Sequence, residues 1–177
     1  MSNDPDAGDY PLGPVTSWPA ADIAAAWDRE LPGVRTEAIG IITPIWRIAK
    51  VLADDRRRTL ARLGVEPSTL DLLSVIRRSG PPYKLTTREI ARRTLITAGA
   101  VSQRVARAEQ AGLVARSPSS VSRRAVSVGL TETGHALIEN TVRQLLEHEA
   151  DLISSLAADE RTVLTGILAK LEDALSA

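Results

Sequence analysis

Cysteine and phenylalanine are both absent from this 177-residue sequence, and histidine occurs only twice, as His135 and His148. The absence of cysteine excludes disulfide bonds, thiol redox sensing and thiolate-bound zinc. Two histidines cannot form a histidine-based metal site unless carboxylates complete it. We therefore expect no metal or other cofactor, and we expect both histidines to lie on exposed helix faces. With only three tryptophans and two tyrosines, the core has to be built from aliphatic side chains.

The sequence also lacks any apolar run of the ~20 residues that a membrane-spanning helix requires. Its start, residues 3–14, is acidic and rich in proline and glycine, unlike a signal peptide. We therefore expect a cytoplasmic protein without a membrane partner. Because the sequence offers no nucleophile–base pair, phosphate-binding loop or metal cluster, we do not expect an enzyme.

Acidic and basic residues are equal in number, twenty-two of each, but they are segregated along the chain. Residues 77–131 hold eleven basic and two acidic residues, whereas residues 1–37 and 132–177 are net acidic. A strongly positive segment within an otherwise acidic chain is typical of a module that binds nucleic acid. The alternative is a solvated basic surface that has no partner.

Two short helices and a hairpin are predicted within this basic segment. The helices cover Thr87–Arg93 and Ala98–Gln110 and are joined by a tight turn. The period of the apolar residues then changes from 3.6 to 2, which predicts a strand over Val126–Leu130 that pairs with Val114–Arg116. Two such helices followed by a hairpin form a winged helix-turn-helix, whose second helix enters the major groove of DNA.

Long helices are predicted on both sides of this unit. One runs from a cap at Thr36 to about Leu63, and its first half is apolar around nearly the whole circumference. Burial against a second subunit would explain that pattern. Another is capped by Thr131 and reaches about Leu156, and a last helix covers Asp159–Leu175. We therefore predict a mainly α fold with a small β-hairpin wing, in which residues 1–16 form a disordered tail, residues 17–66 and 132–177 a helical dimerisation lobe, and residues 67–131 the winged helix-turn-helix domain.

The predicted second helix has a buried stripe of Val101, Val105 and Ala108, and its opposite face is small and polar. Small residues let the backbone approach the floor of the groove, while Gln and Arg side chains form paired hydrogen bonds with base edges. The start of the first helix suits phosphate contacts through free N–H groups, and arginines at the hairpin tip suit the adjacent minor groove. The candidate DNA-binding residues are therefore Thr86, Thr87, Arg88, Thr97, Ser102, Gln103, Arg107, Arg123 and Arg124.

Several short motifs of this segment occur together in one family. They are Gly112-Leu113 at the exit of the second helix, Arg123-Arg124 in the hairpin, Leu130-Thr131, and Gly134. On these residues the sequence resembles the MarR family of bacterial transcription regulators, over roughly residues 20–175. The resemblance implies a homodimer that binds double-stranded DNA and whose N- and C-terminal helices form the dimer interface. The sequence departs from the family at Ser122, where such wings usually carry Asp.

The added N-terminal helix, the stretch LDLLSVIRRSGPPYKLT and the arginine spacing resemble the urate-responsive branch of that family. This branch binds small anionic metabolites such as urate or related purine and carboxylate compounds. Its ligand-binding set of one Trp, one Asp and two Arg matches Trp27, Asp71, Arg104 and Arg116. Asp71 stands among leucines on a core-facing helix, so we expect it to need a cationic partner. An anion that competes with Asp71 for arginine would disturb the second helix.

The resemblance therefore implies a repressor that a small anion releases from a palindromic operator. Four alternatives remain open at this stage. The protein could bind DNA constitutively as an architectural protein, or it could use its winged helix for protein contacts. Asp71 could also form a purely structural ion pair with Arg104 or Arg116, and Trp27 could serve only as a packing anchor.

Overall fold

A computed structural model of the chain describes residues 18–118 and 126–176, where the fold is mainly helical. The predicted disordered tail, residues 1–16, lies outside the described residues. No helix in the described ranges is both long and apolar enough to cross a membrane. In chain order the elements are α1 (Ala20–Glu30), α2 (Ile39–Arg62), α3 (Pro67–Arg77), β1 (Lys84–Thr86), α4 (Thr87–Thr94), α5 (Ala98–Gln110), β2 (Val114–Pro118), β3 (Val126–Leu130), α6 (Glu132–Leu152) and α7 (Ala158–Ser176).

The chain divides into two compact units, of which the first ends at Thr59 and the second begins at Leu60. In the first unit, the prediction that Thr36 caps the long helix is wrong. The Thr36 hydroxyl donates to the Asp28 carboxylate at 2.8 Å, and α2 begins three residues later, at Ile39. Because α2 begins at Ile39, Thr36 lies too far before the helix to be its N-cap, which is the residue that directly precedes the first turn.

The second unit is built around an aliphatic core, as the shortage of aromatic residues predicts. Its buried side chains come from every layer of the winged helix-turn-helix, because the helices and strands each turn one apolar stripe inwards. The most deeply buried are Leu72, Leu73 and Ile76 of α3, Ile90 of α4, Val101 and Val105 of α5, Val128 of β3, and Ile138 of α6.

The three strands form one antiparallel sheet in the order β1-β3-β2. In the hairpin, Val114 pairs with Leu130 and Pro118 pairs with Val126. This confirms the predicted hairpin, although β2 extends two residues further than expected. The sequence analysis missed β1, whose central residue Leu85 is buried and pairs with Val128.

The fold confirms the bounds predicted for α5 and β3. It also confirms Thr131 as the N-cap of α6, since its hydroxyl accepts a hydrogen bond from the Gly134 N–H at 3.0 Å. That helix ends at Leu152, four residues earlier than predicted. The larger organisation into a dimerisation lobe and a DNA-binding domain remains a prediction.

Candidate nucleic-acid interface

The first short helix, α4, begins with a complete capping box. The Thr86 hydroxyl accepts from the Glu89 N–H at 3.2 Å, and the Glu89 carboxylate accepts from the Thr86 N–H at 2.8 Å. The same carboxylate accepts from the Thr86 hydroxyl at 2.7 Å. These hydrogen bonds to its charged form hold the pKa of Glu89 below its usual value. Of the three residues predicted here, Thr86 thus serves as a cap, while Arg88 is exposed on the first turn.

The turn between the helices is tight, and its last residue caps α5. Leu95 has φ 55° and ψ 32°, which places it in the left-handed region and ends α4. The Thr97 hydroxyl then accepts from the Ala100 N–H at 3.2 Å. Only the three residues 95–97 separate the last residue of α4 from the first residue of α5.

The second helix, α5, separates an apolar stripe from a small polar face, as its sequence predicts. Val101, Val105 and Ala108 are buried. The exposed residues include the candidates Ser102, Gln103 and Arg107, together with Ala98, Gly99 and Gln110. A Cβ built on Gly99 would meet no atom within 4 Å, so the space in front of this turn is open. The exposed face can therefore approach a partner closely.

Two hydrogen bonds from Thr131 connect the segment after α5 to the start of α6. The Thr131 hydroxyl donates to the Gly112 carbonyl at 2.6 Å, and the Thr131 N–H donates to the Leu113 carbonyl at 3.1 Å. A Cβ on Gly134 would lie 2.0 Å from the Leu113 carbonyl oxygen, so only glycine fits there. These contacts explain why the sequence motif needs both the threonine and the glycine.

The residues that the resemblance assigns to an anion site are partly brought together. Arg104 of α5 pairs with Asp71 of α3 at 3.4 Å, with its side chain 24% exposed. Arg116 of β2 pairs instead with Glu109 of α5, also at 3.4 Å. The sequence analysis did not anticipate Glu109 as a partner. Trp27 lies on α1 of the first unit and is half-exposed.

The surroundings predicted for Asp71 are wrong. Its neighbours Leu70, Leu72 and Leu73 are buried, but the side chain of Asp71 is 58% exposed. One helical step turns a side chain by about 100°, which carries Asp71 off the apolar stripe. Asp71 is therefore a surface carboxylate paired with an arginine, and it is not a charge buried among leucines.

The expectation that both histidines are exposed is also wrong, because His135 and His148 are half-buried. The His135 ring meets the Tyr83 ring edge-on, with 4.7 Å between centroids, and its Nδ1 lies 3.9 Å from the Glu139 carboxylate. The Arg77 guanidinium lies over the same Tyr83 ring, 4.6 Å from its centroid. It also forms an ion pair with the Glu139 carboxylate at 3.0 Å. This cluster ties α3, the segment before β1, and α6 together.

Two of the candidates, Arg123 and Arg124, fall between Pro118 and Val126, outside the described residues. In the ranges that the structure does describe, no group of three or more acidic or histidine side chains could hold a metal ion. The sequence analysis also left Arg92 and Arg93 out of its candidates, although both are exposed in the last turn of α4.

A capped helix, a tight turn, a second helix with a small polar exposed face and an antiparallel hairpin together define a winged helix-turn-helix. Known proteins show the same pattern: residues 63–125 match a sequence profile described as MarR family. The second unit therefore carries a winged helix-turn-helix, and over residues 63–125 it is similar to the MarR family.

Individual relatives agree with this assignment. The chain is 29% identical over 152 residues to the HTH-type transcriptional regulator PecS of Dickeya dadantii, a match that covers 86% of this chain and 92% of PecS. This relative and a second one, YwaE of Bacillus subtilis, are both named as HTH-type transcriptional regulators.

Solved structures share the fold. A MarR family protein from Bacillus stearothermophilus has a TM-score of 0.67 at 23% identity, with 82% of this chain and 100% of that chain covered. A mutant MarR from E. coli, complexed with operator DNA, has a TM-score of 0.59 at 25% identity, with 73% of this chain and 94% of that chain covered.

Proposed function

We propose that this protein is a homodimeric transcription regulator that binds duplex DNA through α4, α5 and the β2–β3 wing. We further propose that it represses from a palindromic operator and is released by a small anionic metabolite. The observation that carries the proposal is the exposed face of α5, which presents Ser102, Gln103 and Arg107 close to the open space in front of Gly99. Such a face can enter the major groove and bond to base edges.

The phosphate contacts are proposed to come from α4 and from the wing. Thr87 and Arg88 occupy the first turn of α4, where helix N–H groups lack intrahelical acceptors and favour anions. Arg92 and Arg93 add positive charge at the other end of the same helix. The hairpin arginines, Arg123 and Arg124, remain proposed minor-groove contacts. The complex of E. coli MarR with operator DNA supports this use of the fold.

Dimerisation is supported by apolar surface on α7, none of whose described residues is buried. The sequence of this helix is nevertheless rich in leucine, isoleucine and valine. Its side chains at Val163, Leu164, Ile167 and Leu168 are between 42% and 61% exposed and recur at helical spacing. Large exposed apolar surfaces of this kind mark interaction sites, and a second copy of the chain is the partner that we propose.

DNA binding is tested by measuring the affinity of the purified protein for a random-sequence duplex library over a range of salt concentrations. We expect the logarithm of affinity to fall linearly with the logarithm of salt concentration. Arg88→Ala should weaken binding to all sequences and reduce that slope by about one. Arg143→Ala, which removes an exposed arginine from α6, is the matched control and should leave the slope unchanged. Salt-insensitive or undetectable binding would refute the proposal.

The proposed effector site is assigned to Asp71, Arg104 and Arg116 of the second unit, while Trp27 of the first unit is assigned on the family resemblance alone. Arg104 is on α5, and its carboxylate partner Asp71 is on α3. An anion that replaces Asp71 as the partner of Arg104 would therefore break an ion pair that joins these two helices. A few kcal/mol of differential affinity would be enough to shift the population away from the DNA-binding state. The chemistry of the four residues suits a planar anion with a purine or carboxylate group.

This effector role is tested by adding urate, and separately an aromatic carboxylate, to the protein–duplex complex. We expect release of DNA from the unmodified protein. Arg116→Ala should keep its DNA affinity and lose much of the response to the anion. If Arg116→Ala loses as much DNA affinity as it loses response to the anion, Arg116 is a DNA contact and its assignment to the effector site fails.

One observation favours a second candidate, a DNA-binding or architectural protein that needs no ligand. Both arginines already have carboxylate partners within the chain, Asp71 and Glu109, so no anion is needed to balance their charge. On this alternative, neither anion would raise the melting temperature or release DNA, while the salt-dependent duplex affinity would remain.

A further inference from the structure

Leu95, in the turn between α4 and α5, combines two features that each cost the fold free energy. Its backbone lies in the left-handed region, with φ 55° and ψ 32°, where glycine or asparagine is normally found because a Cβ is crowded there. Its side chain is 92% exposed, more than that of any other large apolar residue in the described ranges. Exposure of so much apolar surface is unfavourable in water.

Neighbouring residues show that the fold does not need a leucine at this position. Ile90 is buried and Ile96 packs against the core, so the apolar anchors of the turn lie on either side of Leu95. Thr94, just before it, donates from its hydroxyl to the Ile90 carbonyl at 2.7 Å. The turn is thus held by its neighbours, and the Leu95 side chain adds no burial of its own.

Tyr83 provides the comparison within the same unit. It is the other non-glycine residue with positive φ in the described chain, at 56°. Its ring, however, is half-buried and contacts both His135 and Arg77, so packing offsets the cost of its backbone. A strained residue without such compensation is characteristic of a functional position, and Leu95 has none within the described chain.

The location of Leu95 indicates what it contacts. It lies two residues before Thr97, the cap of α5, and it follows the exposed Arg92 and Arg93 at the end of α4. On the proposed function, which this inference presupposes, the flanking residues on both sides face DNA. We propose that Leu95 makes an apolar contact with duplex DNA at the edge of the major groove.

Duplex DNA offers two kinds of apolar group at that edge. The 5-methyl group of thymine projects into the major groove and is a known partner of apolar side chains, and deoxyribose carbons line the backbone beside it. Both would desolvate the Leu95 side chain on binding. Contact with the methyl group would add a preference for thymine, whereas contact with deoxyribose would raise affinity for every sequence.

The test compares Leu95→Gly, Leu95→Asn and Leu95→Met on the duplex that the unmodified protein selects from a random-sequence library. Glycine and asparagine both suit a left-handed backbone, so we expect these two variants to melt at or above the temperature of the unmodified protein. We expect them to lose about tenfold in DNA affinity, the equivalent of burying much of one leucine. Leu95→Met, which retains an apolar side chain, should keep most of the affinity.

The salt dependence separates this contact from an ionic one. Leu95→Gly removes no charge, so the slope of affinity against salt should be that of the unmodified protein. Replacing thymine by deoxyuridine in the same duplex identifies the partner: a loss seen with the unmodified protein but not with Leu95→Gly assigns the thymine methyl group, and equal behaviour assigns deoxyribose.

The inference and the proposed function fail in different ways. If the unmodified protein binds no duplex, the proposed function is wrong and the inference falls with it. If the unmodified protein binds and Leu95→Gly binds equally well, only the inference is overturned. Lower melting temperatures for both Leu95→Gly and Leu95→Asn would show that Leu95 serves the fold, which would also overturn it.

Discussion

The helices α5 and α7 differ in what the single chain does with their apolar residues. α5 buries Val101, Val105 and Ala108, and its remaining surface is small or polar. α7 buries none of its residues, although they include Val163, Ile167 and other large apolar side chains. The winged helix-turn-helix is therefore stabilised by contacts within one chain, whereas α7 has apolar surface that we propose a second copy of the chain covers.

Two glycines in the first turns of their helices also differ in whether they face the packed interior or open space. Gly134 in α6 faces the Leu113 carbonyl so closely that no side chain fits, while Gly99 in α5 faces open space. The first glycine serves the packing of the fold. The second leaves room in front of a surface that we propose meets DNA.

The largest loss of folding stability is expected for Gly134→Ala. The added Cβ would lie 2.0 Å from a backbone oxygen, so α6 has to move away from the end of α5, at a cost of about 4 kcal/mol. Gly99→Ala is the matched control and should be neutral or should raise stability by up to about 1 kcal/mol. Denaturant unfolding measures both changes, and equal stability of the two variants would contradict the packing role of Gly134.

The second largest loss of stability is expected in the core, and the matching substitution in α7 should affect self-association instead. Ile76→Ala removes a buried side chain of α3 and should lower the free energy of unfolding by about 3 kcal/mol. Leu168→Ala should leave the fold of the single chain intact and instead weaken its self-association. A dilution series followed by sedimentation measures that change. A chain that is monomeric before the substitution would refute the role that we propose for α7.

The smallest effect concerns the cap of α4. Because the pKa of Glu89 is lowered in the fold, its cap stabilises the protein fully above the ordinary glutamate value and loses that contribution as the pH falls through the lowered pKa. Glu89→Gln cannot titrate. The stability difference between the unmodified protein and this variant should therefore shrink as the solution becomes acidic. A difference that is constant with pH would show that the charge of Glu89 contributes nothing.

Periodic features were predictable from the sequence because many residues repeat the same signal. The bounds of α5 follow from its apolar spacing, and β3 follows from its alternation. β1 was missed because it has only three residues, Lys84–Thr86, and exists through pairing with a strand more than forty positions away. No local pattern encodes such a pairing.

The candidate site was less predictable because it depends on the direction of single side chains. Asp71 lies between buried leucines in the sequence, yet one helical step places it at the surface. Arg116 was expected to face an anion or Asp71, and it pairs with Glu109 instead. The exposed Leu95 gave no signal in the sequence, since its meaning depends on a backbone angle that only the structure reveals.

The most direct test of the account is chemical protection of guanine N7, a major-groove atom, on a duplex selected by the protein. If a dimer inserts one α5 helix into each of two successive grooves, protected guanines should form two clusters about ten base pairs apart. Arg107→Ala, which removes the exposed α5 arginine suited to guanine O6 and N7, should reduce protection within the clusters. A bound duplex whose guanine N7 atoms all remain reactive would contradict the proposal that α5 reads the major groove.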